Sequence, residues 1–288
     1  MNLQSIMKKS FYVNIFLIVI KIVSGIFFGS VALIADGIHS ISDLMSDVFV
    51  ILGIGHSLKP ADDEHPFGHG KFEYILSLIL GLFIILIAFN LGKEVIMNFN
   101  DPVVIPKLIT LAVVVLVVFV KLYLARYLIK KGKEIDSQII RASGQESLTD
   151  VFSSIVVFVG ILGVMIGEAT GLDFLLKGDK IASVIIALFI VKIGLQIVFE
   201  AIVALQGKAV SKKISNLYHQ IILDVPGVIT VDNLDMIAYG PYYQALVDIG
   251  VKSSITVKEG HDIALKVSEA LYGDEKICHV VVHVNPEE

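Results

Sequence analysis

Ser30-Val-Ala-Leu-Ile-Ala-Asp-Gly-Ile-His-Ser-Ile-Ser-Asp-Leu-Met-Ser-Asp47 is the stretch on which the reading of this chain turns. Asp36, His39, Asp43 and Asp47 fall at i, i+3, i+7 and i+11, so all four share one stripe of a helix. They lie inside an apolar run from 31 to 57 that is long enough to cross a bilayer. Each acid at the centre of a span opposes insertion by roughly 2.5–3.5 kcal/mol, and the three aspartates together by roughly 7–10 kcal/mol if they add. The stripe must therefore face a water-filled cavity, a cation or partner charges.

The rest of the chain fits a membrane setting. Of its 288 residues 55% are hydrophobic and 18% charged, with a mean hydropathy of +0.81. A soluble domain is about 45–50% apolar and about 25% charged, so the composition excludes a wholly soluble enzyme and a disordered chain. Six apolar segments stand out, at 11–29, 31–57, 73–98, 108–129, 142–167 and 181–206. The first contains Asn14 and runs directly into the second, so it reads as a retained helix rather than a cleaved signal peptide. Six spans place both termini on one side. Twelve basic residues gather there, namely Lys8, Lys9, Lys59, Lys71, Arg126, Lys130, Lys131, Lys133, Arg141, Lys208, Lys212 and Lys213. The other side holds four, Lys93, Lys107, Lys177 and Lys180, so the positive-inside rule makes both termini cytoplasmic.

Charge divides the chain as well. Basic and acidic residues balance at 17 each up to residue 208 and stand at 6 against 11 beyond it, so the net charge of −5 belongs entirely to the last 80 residues. The expected domains are a six-helix membrane domain over 1–208 and a cytoplasmic domain over 209–288. The tail has helical spacing at 210–223, strand-like runs at 228–238 and 243–251, a helix at 261–272 and a strand at 277–284. That αββαβ order predicts a small α+β fold, a three-stranded sheet with helices on one face. One cysteine, Cys278, excludes an intrachain disulfide and an all-thiolate metal site, and reads as a packed small residue.

The fifth segment repeats the pattern of the second. Glu146 and Asp150 are again i and i+4, followed by Ser153 and Ser154. If the two faces meet, His39, Asp43, Glu146 and Asp150 provide one imidazole and three carboxylates, a four-ligand set for a divalent transition metal. The competing reading is a polar network between helices that binds nothing. A network made mostly of acids needs a compensating cation, which Lys21 or Lys192 supplies unless they snorkel or pair elsewhere. In the loop Lys59-Pro-Ala-Asp-Asp-Glu-His-Pro-Phe-Gly-His-Gly-Lys71, Asp62, His65 and His69 are spaced to chelate a metal, against the alternative of a solvated acidic loop. This is not the zinc-protease HExxH pattern, because Glu64 precedes both histidines. In the tail, Asp232, Asp248, His261 and His283 are weaker metal candidates, with surface or capping roles as the ordinary alternative. Asp36 and Asp47 extend the acidic stripe as a pathway would.

Three motifs carry a resemblance: Ser30–Asp43, Asp62-Asp-Glu-His-Pro-Phe-Gly-His-Gly-Lys-Phe-Glu73, and Val281-Val-His-Val-Asn-Pro286. Together with the six-span layout they resemble the cation diffusion facilitator family of metal transporters. The resemblance implies a homodimer with a transport site made by His39, Asp43, Glu146 and Asp150, and a second metal site in the loop made by Asp62, His65 and His69. It also implies a metallochaperone-like, ferredoxin-like cytoplasmic dimerisation domain in which Asp248, His261 and His283 occupy positions that bind regulatory metal in some members. The zinc-type members usually carry His where this chain has Glu146. Some metal-binding tails have His at the positions of Asp232 and Asp248 and Asp at that of Asn285. Gly207 stands where members often place an Asp that pairs with the loop lysine, here Lys71.

Carboxylates and imidazole bind metal only when deprotonated, so metal binding releases protons. The expected function is efflux of a divalent metal by antiport against H⁺, with Mn²⁺ and Fe²⁺ ranked slightly above Zn²⁺ because the ligands are rich in oxygen. The metal is substrate and regulator, and neither a prosthetic group nor a nucleic-acid partner is expected. A membrane-embedded metal-dependent hydrolase and a metal-sensing membrane protein are the competing classes. The continued acidic stripe and the lack of a nucleophile or oxyanion motif favour transport over hydrolysis. The expected location is the cell membrane, as an integral multi-pass protein.

Overall fold

The apolar segments fold as long helices, because in hydrocarbon every backbone N–H and C=O must be satisfied within its own segment. A computed structural model describes residues 3–57, 59, 61–102, 104–134 and 138–287, with side chains undescribed at 3–5, 7, 46–56, 138, 139, 141 and 142. The long helices are α1 (Leu3–Phe28), α2 (Val31–Ser57), α3 (Phe72–Met97), α4 (Leu108–Glu134), α5 (Gln138–Thr170) and α7 (Gly178–Leu205). At about 1.5 Å per residue each exceeds the roughly 30 Å hydrocarbon thickness. Parts of α1, α3, α4, α5 and α7 are long and apolar enough to cross a membrane. The sixth, α2, has the length at 27 residues but bears the aspartates. A one-turn helix, α6 (Asp173–Leu176), lies between α5 and α7 and was not expected.

The chain forms two compact units, one of residues 1–47 and 80–196, the other of residues 48–79 and 197–288. In the first, α4 packs along α5 and α1 along α4. Large apolar side chains such as Phe16, Phe83, Phe119, Phe152 and Leu188 stay exposed, as lipid-facing residues do. Gly29, at φ 77°, ends α1 in the left-handed region and lets α2 begin two residues later. The start of α2 is capped from another helix. Asp179, in the first turn of α7, accepts hydrogen bonds from Ser30 Oγ (2.6 Å), the Val31 N–H (2.7 Å) and the Ala32 N–H (3.3 Å). A carboxylate at this N-terminus satisfies orphan donors and complements the helix dipole.

The second unit carries the α+β fold. Helix α8 (Lys212–Leu223) is capped by Ser211, whose side chain accepts from the Ile214 N–H. Strands β1 (Thr230–Tyr239) and β2 (Tyr242–Lys252) pair antiparallel, α9 (Val257–Tyr272) crosses over, and β3 (Ile277–Glu287) pairs parallel to β2, giving the order β1-β2-β3. Ala245, Val247, Ile249 and Val251 alternate inward along β2 and pack with Tyr218, Ile222, Val267 and Leu271 of the two helices. Helix α9 begins four residues before the expected 261, because Thr256 and Glu259 close a capping box.

Candidate metal centres

The periodicity that places His39 and Asp43 one turn apart on α2 also sets them opposite Asp150 of α5. His39 Nδ1 lies 3.9 Å from Asp43 Oδ2, and His39 Nε2 lies 3.8 Å from Asp150 Oδ1. One ligand atom from each of the three falls within 4.8 Å of the others. His39 and Asp150 are buried and Asp43 half-buried. Among the described residues, His39 Nδ1 and Asp43 Oδ2 are buried without a hydrogen-bond partner. Buried polar atoms are seldom left so, and two orphaned donor atoms facing each other suit a cation between them. Glu146 sits one turn before Asp150 with an exposed side chain and is not part of this three-residue cluster. Asp47 lies in α2, but its side chain is outside the described residues.

Two buried lysines flank the cluster. Lys21 of α1 pairs with Asp36 (2.8 Å) and donates to Ser40 Oγ (3.0 Å), while Ser153 Oγ (2.6 Å) and Ser154 Oγ (2.8 Å) donate to the same aspartate. Asp36 is thereby satisfied inside a network that ties α1, α2 and α5 together, rather than standing open beside the cluster. Lys121 of α4 pairs with Asp150 and donates to Asn14 Oδ1 (2.9 Å). Lys192, the other candidate cation, is exposed and lies over the Phe189 ring at 5.9 Å. Sequence reasoning missed Lys121 and Asp179. The signal for both was present, since an ionisable residue in or at the end of an apolar span calls for a partner.

The loop residues form a second cluster. Asp62 Oδ1 accepts from the backbone N–H of Glu64 (3.1 Å) and His65 (2.7 Å) and lies 3.3 Å from His65 Nδ1, while Asp62 Oδ2 lies 3.4 Å from His69 Nε2. The two imidazole rings are 4.3 Å apart. The His65 backbone hydrogen bond holds the exposed Asp62 carboxyl below the usual carboxylate range. The same loop is docked on the β1–β2 turn. Tyr239 donates from its hydroxyl to Gly68 O (3.1 Å), the Gly240 N–H donates to the Tyr74 hydroxyl (2.8 Å), and Phe67 meets the His279 ring edge-on at 4.9 Å. Gly240 turns at φ 62°, and a side chain there would strike the backbone of Gly70. Lys71 donates to the Leu205 carbonyl (3.4 Å) and lies 5.6 Å from the Tyr239 ring centre, which gives it partners in place of the absent acid at Gly207.

The tail candidates do not converge in this way. Asp248 and His283 are register partners on β2 and β3, His261 is in α9, and Asp232 accepts from Asn285 Nδ2 (2.9 Å) and Thr230 Oγ1 (2.7 Å), which keep its carboxyl below the usual range. Among the described residues these four form no cluster of metal-ligating atoms.

A bundle of membrane-crossing helices with a buried imidazole–carboxylate cluster, joined to an αββαβ domain, defines a multi-pass membrane protein built to handle cations. Residues 7–206 match the family model of the cation efflux transmembrane domain, and residues 210–287 that of the cation efflux protein cytoplasmic domain. The chain belongs to the cation efflux, or cation diffusion facilitator, family and is a transporter of metal cations, not an enzyme. It is 32% identical over 274 residues to the manganese efflux system protein MneP of Bacillus subtilis, covering 95% of this chain and 92% of that one. It is 34% identical over 273 residues to an uncharacterized transporter of Methanocaldococcus jannaschii, covering 94% of each. The manganese efflux system protein MneS of Bacillus subtilis is 28% identical over 279 residues, with 93% and 90% covered.

Proposed function

We propose that the chain exports a divalent transition metal in exchange for H⁺, binding it at His39, Asp43 and Asp150 with Glu146 as the fourth ligand. The observation that carries this reading is the trio, two members buried and one half-buried, whose His39 Nδ1 and Asp43 Oδ2 have no hydrogen-bond partner among the described residues. Both termini are cytoplasmic, residues 1–208 are the transport domain, and residues 209–288 assemble two copies into a homodimer. Three carboxylates with one imidazole favour Mn²⁺ or Fe²⁺ over Zn²⁺. The manganese efflux named for two of the relatives supports the same order. Protons complete the exchange, because the donor atoms release metal when protonated and bind it when deprotonated. Asp62, His65 and His69 hold a second ion at the cytoplasmic side. Asp232, Asp248, His261 and His283 are the tail positions for a regulatory one, and the absence of a cluster there ranks them last.

Purified protein in sealed vesicles with an imposed proton gradient tests the reading. Wild type moves Mn²⁺ and the Asp43→Ala and Asp150→Ala variants do not. Uptake that ignores the gradient would overturn the antiport, and full activity in both variants would overturn the site. A panel of Mn²⁺, Fe²⁺ and Zn²⁺ ranks the metals, and Glu146→His shifts the preference toward Zn²⁺.

A further inference from the structure

Lys121 is 2% exposed, in the middle of an apolar helix, and its ammonium meets one oxygen of a proposed metal ligand. Asp150 is divided by this contact. Its Oδ2 is taken by Lys121, and its Oδ1 faces His39 Nε2 at 3.8 Å. Asn14 Oδ1 holds the ammonium from the other side at 2.9 Å, so α1 fixes where the charge of α4 stands. The second buried lysine is committed elsewhere, to Asp36 and Ser40. Lys121 is thus the cation in direct contact with the cluster among the described residues.

A fixed positive charge at this position has two physical effects. It opposes a divalent ion entering between His39, Asp43 and Asp150, since like charges a few ångströms apart in a low-dielectric interior repel strongly. It also withholds one carboxylate oxygen, so that Asp150 offers the metal a single donor atom. A carrier needs a site from which the ion leaves, and two unopposed buried carboxylates with an imidazole would hold a divalent ion too firmly for that. We infer that Lys121 is a resident counter-cation of the metal site, a residue that limits metal affinity and reserves one oxygen of Asp150. The inference rests on the proposed role of His39, Asp43 and Asp150.

The test uses the full chain in detergent with Asp62 and His65 replaced by Ala to silence the loop, and Mn²⁺ as probe, followed by the loss of its free-ion electron paramagnetic resonance signal. Lys121→Gln binds Mn²⁺ at least about tenfold more tightly than its parent, given the size of the charge removed. Mn²⁺ also raises its melting temperature further than the parent's, and its transport at saturating Mn²⁺ slows because release slows. Lys121→Arg, which keeps the charge, restores the parental affinity. Asn14→Asp draws the ammonium away from Asp150 and tightens binding in the same direction, which preserves the test if Lys121→Gln fails to fold. Unchanged or weaker binding in a folded Lys121→Gln, or in Asn14→Asp where the glutamine variant does not fold, overturns the inference. Wild-type Mn²⁺ binding in Asp43→Ala and Asp150→Ala would instead overturn the underlying site, a result separable from the behaviour of Lys121.

Discussion

The buried cluster on α2 and α5 and the exposed cluster in the loop are made of the same side chains, histidine and aspartate, and differ in what surrounds them. Asp62 is 52% exposed and takes two backbone N–H groups, so water and the turn itself satisfy it without an ion. His39 and Asp150 are 4% and 5% exposed, and there the surroundings answer charge with charge, Lys121 on Asp150 and Lys21 on Asp36, while His39 Nδ1 and Asp43 Oδ2 have no hydrogen-bond partner among the described residues. An acid in the bilayer interior is costly unless paired, whereas the same acid in a solvated loop is nearly free of that constraint. Burial therefore makes the inner cluster a demanding site and the outer one an accommodating site.

The sharpest way to break this contrast is to remove one ligand from each cluster and measure Mn²⁺ flux in vesicles. Asp150→Ala should fall to the level of protein-free vesicles, while Asp62→Ala should keep part of the wild-type rate. The reverse ranking would mean that the loop, not the buried trio, carries the ion. The next largest effect is on stability. Asp36→Ala leaves Lys21 as an uncompensated buried charge and should cost about 3–5 kcal/mol, whereas Asp36→Leu combined with Lys21→Met should cost far less. Thermal unfolding in detergent separates the two, and equal losses would argue against the ion pair. Away from the membrane the penalties shrink. Thr256→Ala removes the α9 cap and should cost about 1 kcal/mol, read as faster amide exchange confined to α9 and its contacts.

The smallest effect is a pH dependence of the exposed kind. Tyr218 donates to Asp274 Oδ2 (2.6 Å), which holds the Asp274 carboxyl below its usual range, while burial and then this same contact push the Tyr218 phenol up. Because the folded value is depressed, the contribution to stability is complete above the unfolded carboxylate value of about 3.9 and is lost as pH falls through the depressed one. Amide exchange in the αββαβ domain should lose this component on acidification in wild type and lack it throughout in Tyr218→Phe. An identical acid response in both proteins would remove Asp274 from the account.

The membrane helices were legible because six apolar runs, each long enough to cross a bilayer, admit few other readings. The pairing of α2 with α5 was legible for a related reason: two acidic stripes at helical spacing need each other or a shared cation. Of the cations, Lys21 was named from the sequence and does pair with an acid of the stripe, whereas Lys121 was not. Lys121 is an isolated lysine in an apolar run, and sequence says nothing about which neighbouring helix its long side chain reaches. Glu146 was grouped with Asp150 on spacing and on the family resemblance; spacing fixes the helix face, and the exposed side chain lies outside the three-residue cluster. In the tail, the αββαβ succession followed from strand-like and helical runs of apolar residues, whereas the order of the strands in the sheet was not read. The true start of α9 needed the Thr256-Val-Lys-Glu259 cap, a signal present in the sequence and overlooked beside the apolar pattern. The one-turn α6 is too short for periodicity to reveal.

The cap that Asp179 places on the start of α2 ties that end of the helix to α7. At about 1.5 Å per residue, His39 lies roughly 12 Å and Asp43 roughly 18 Å from Val31 along the axis. A tilt of about 10° around that end would carry the two side chains by roughly 2 and 3 Å, as much as a whole metal–oxygen bond of about 2.0–2.2 Å. At the proposed site, a short lever of this kind would turn a small rotation of one helix into the difference between holding an ion and letting it go.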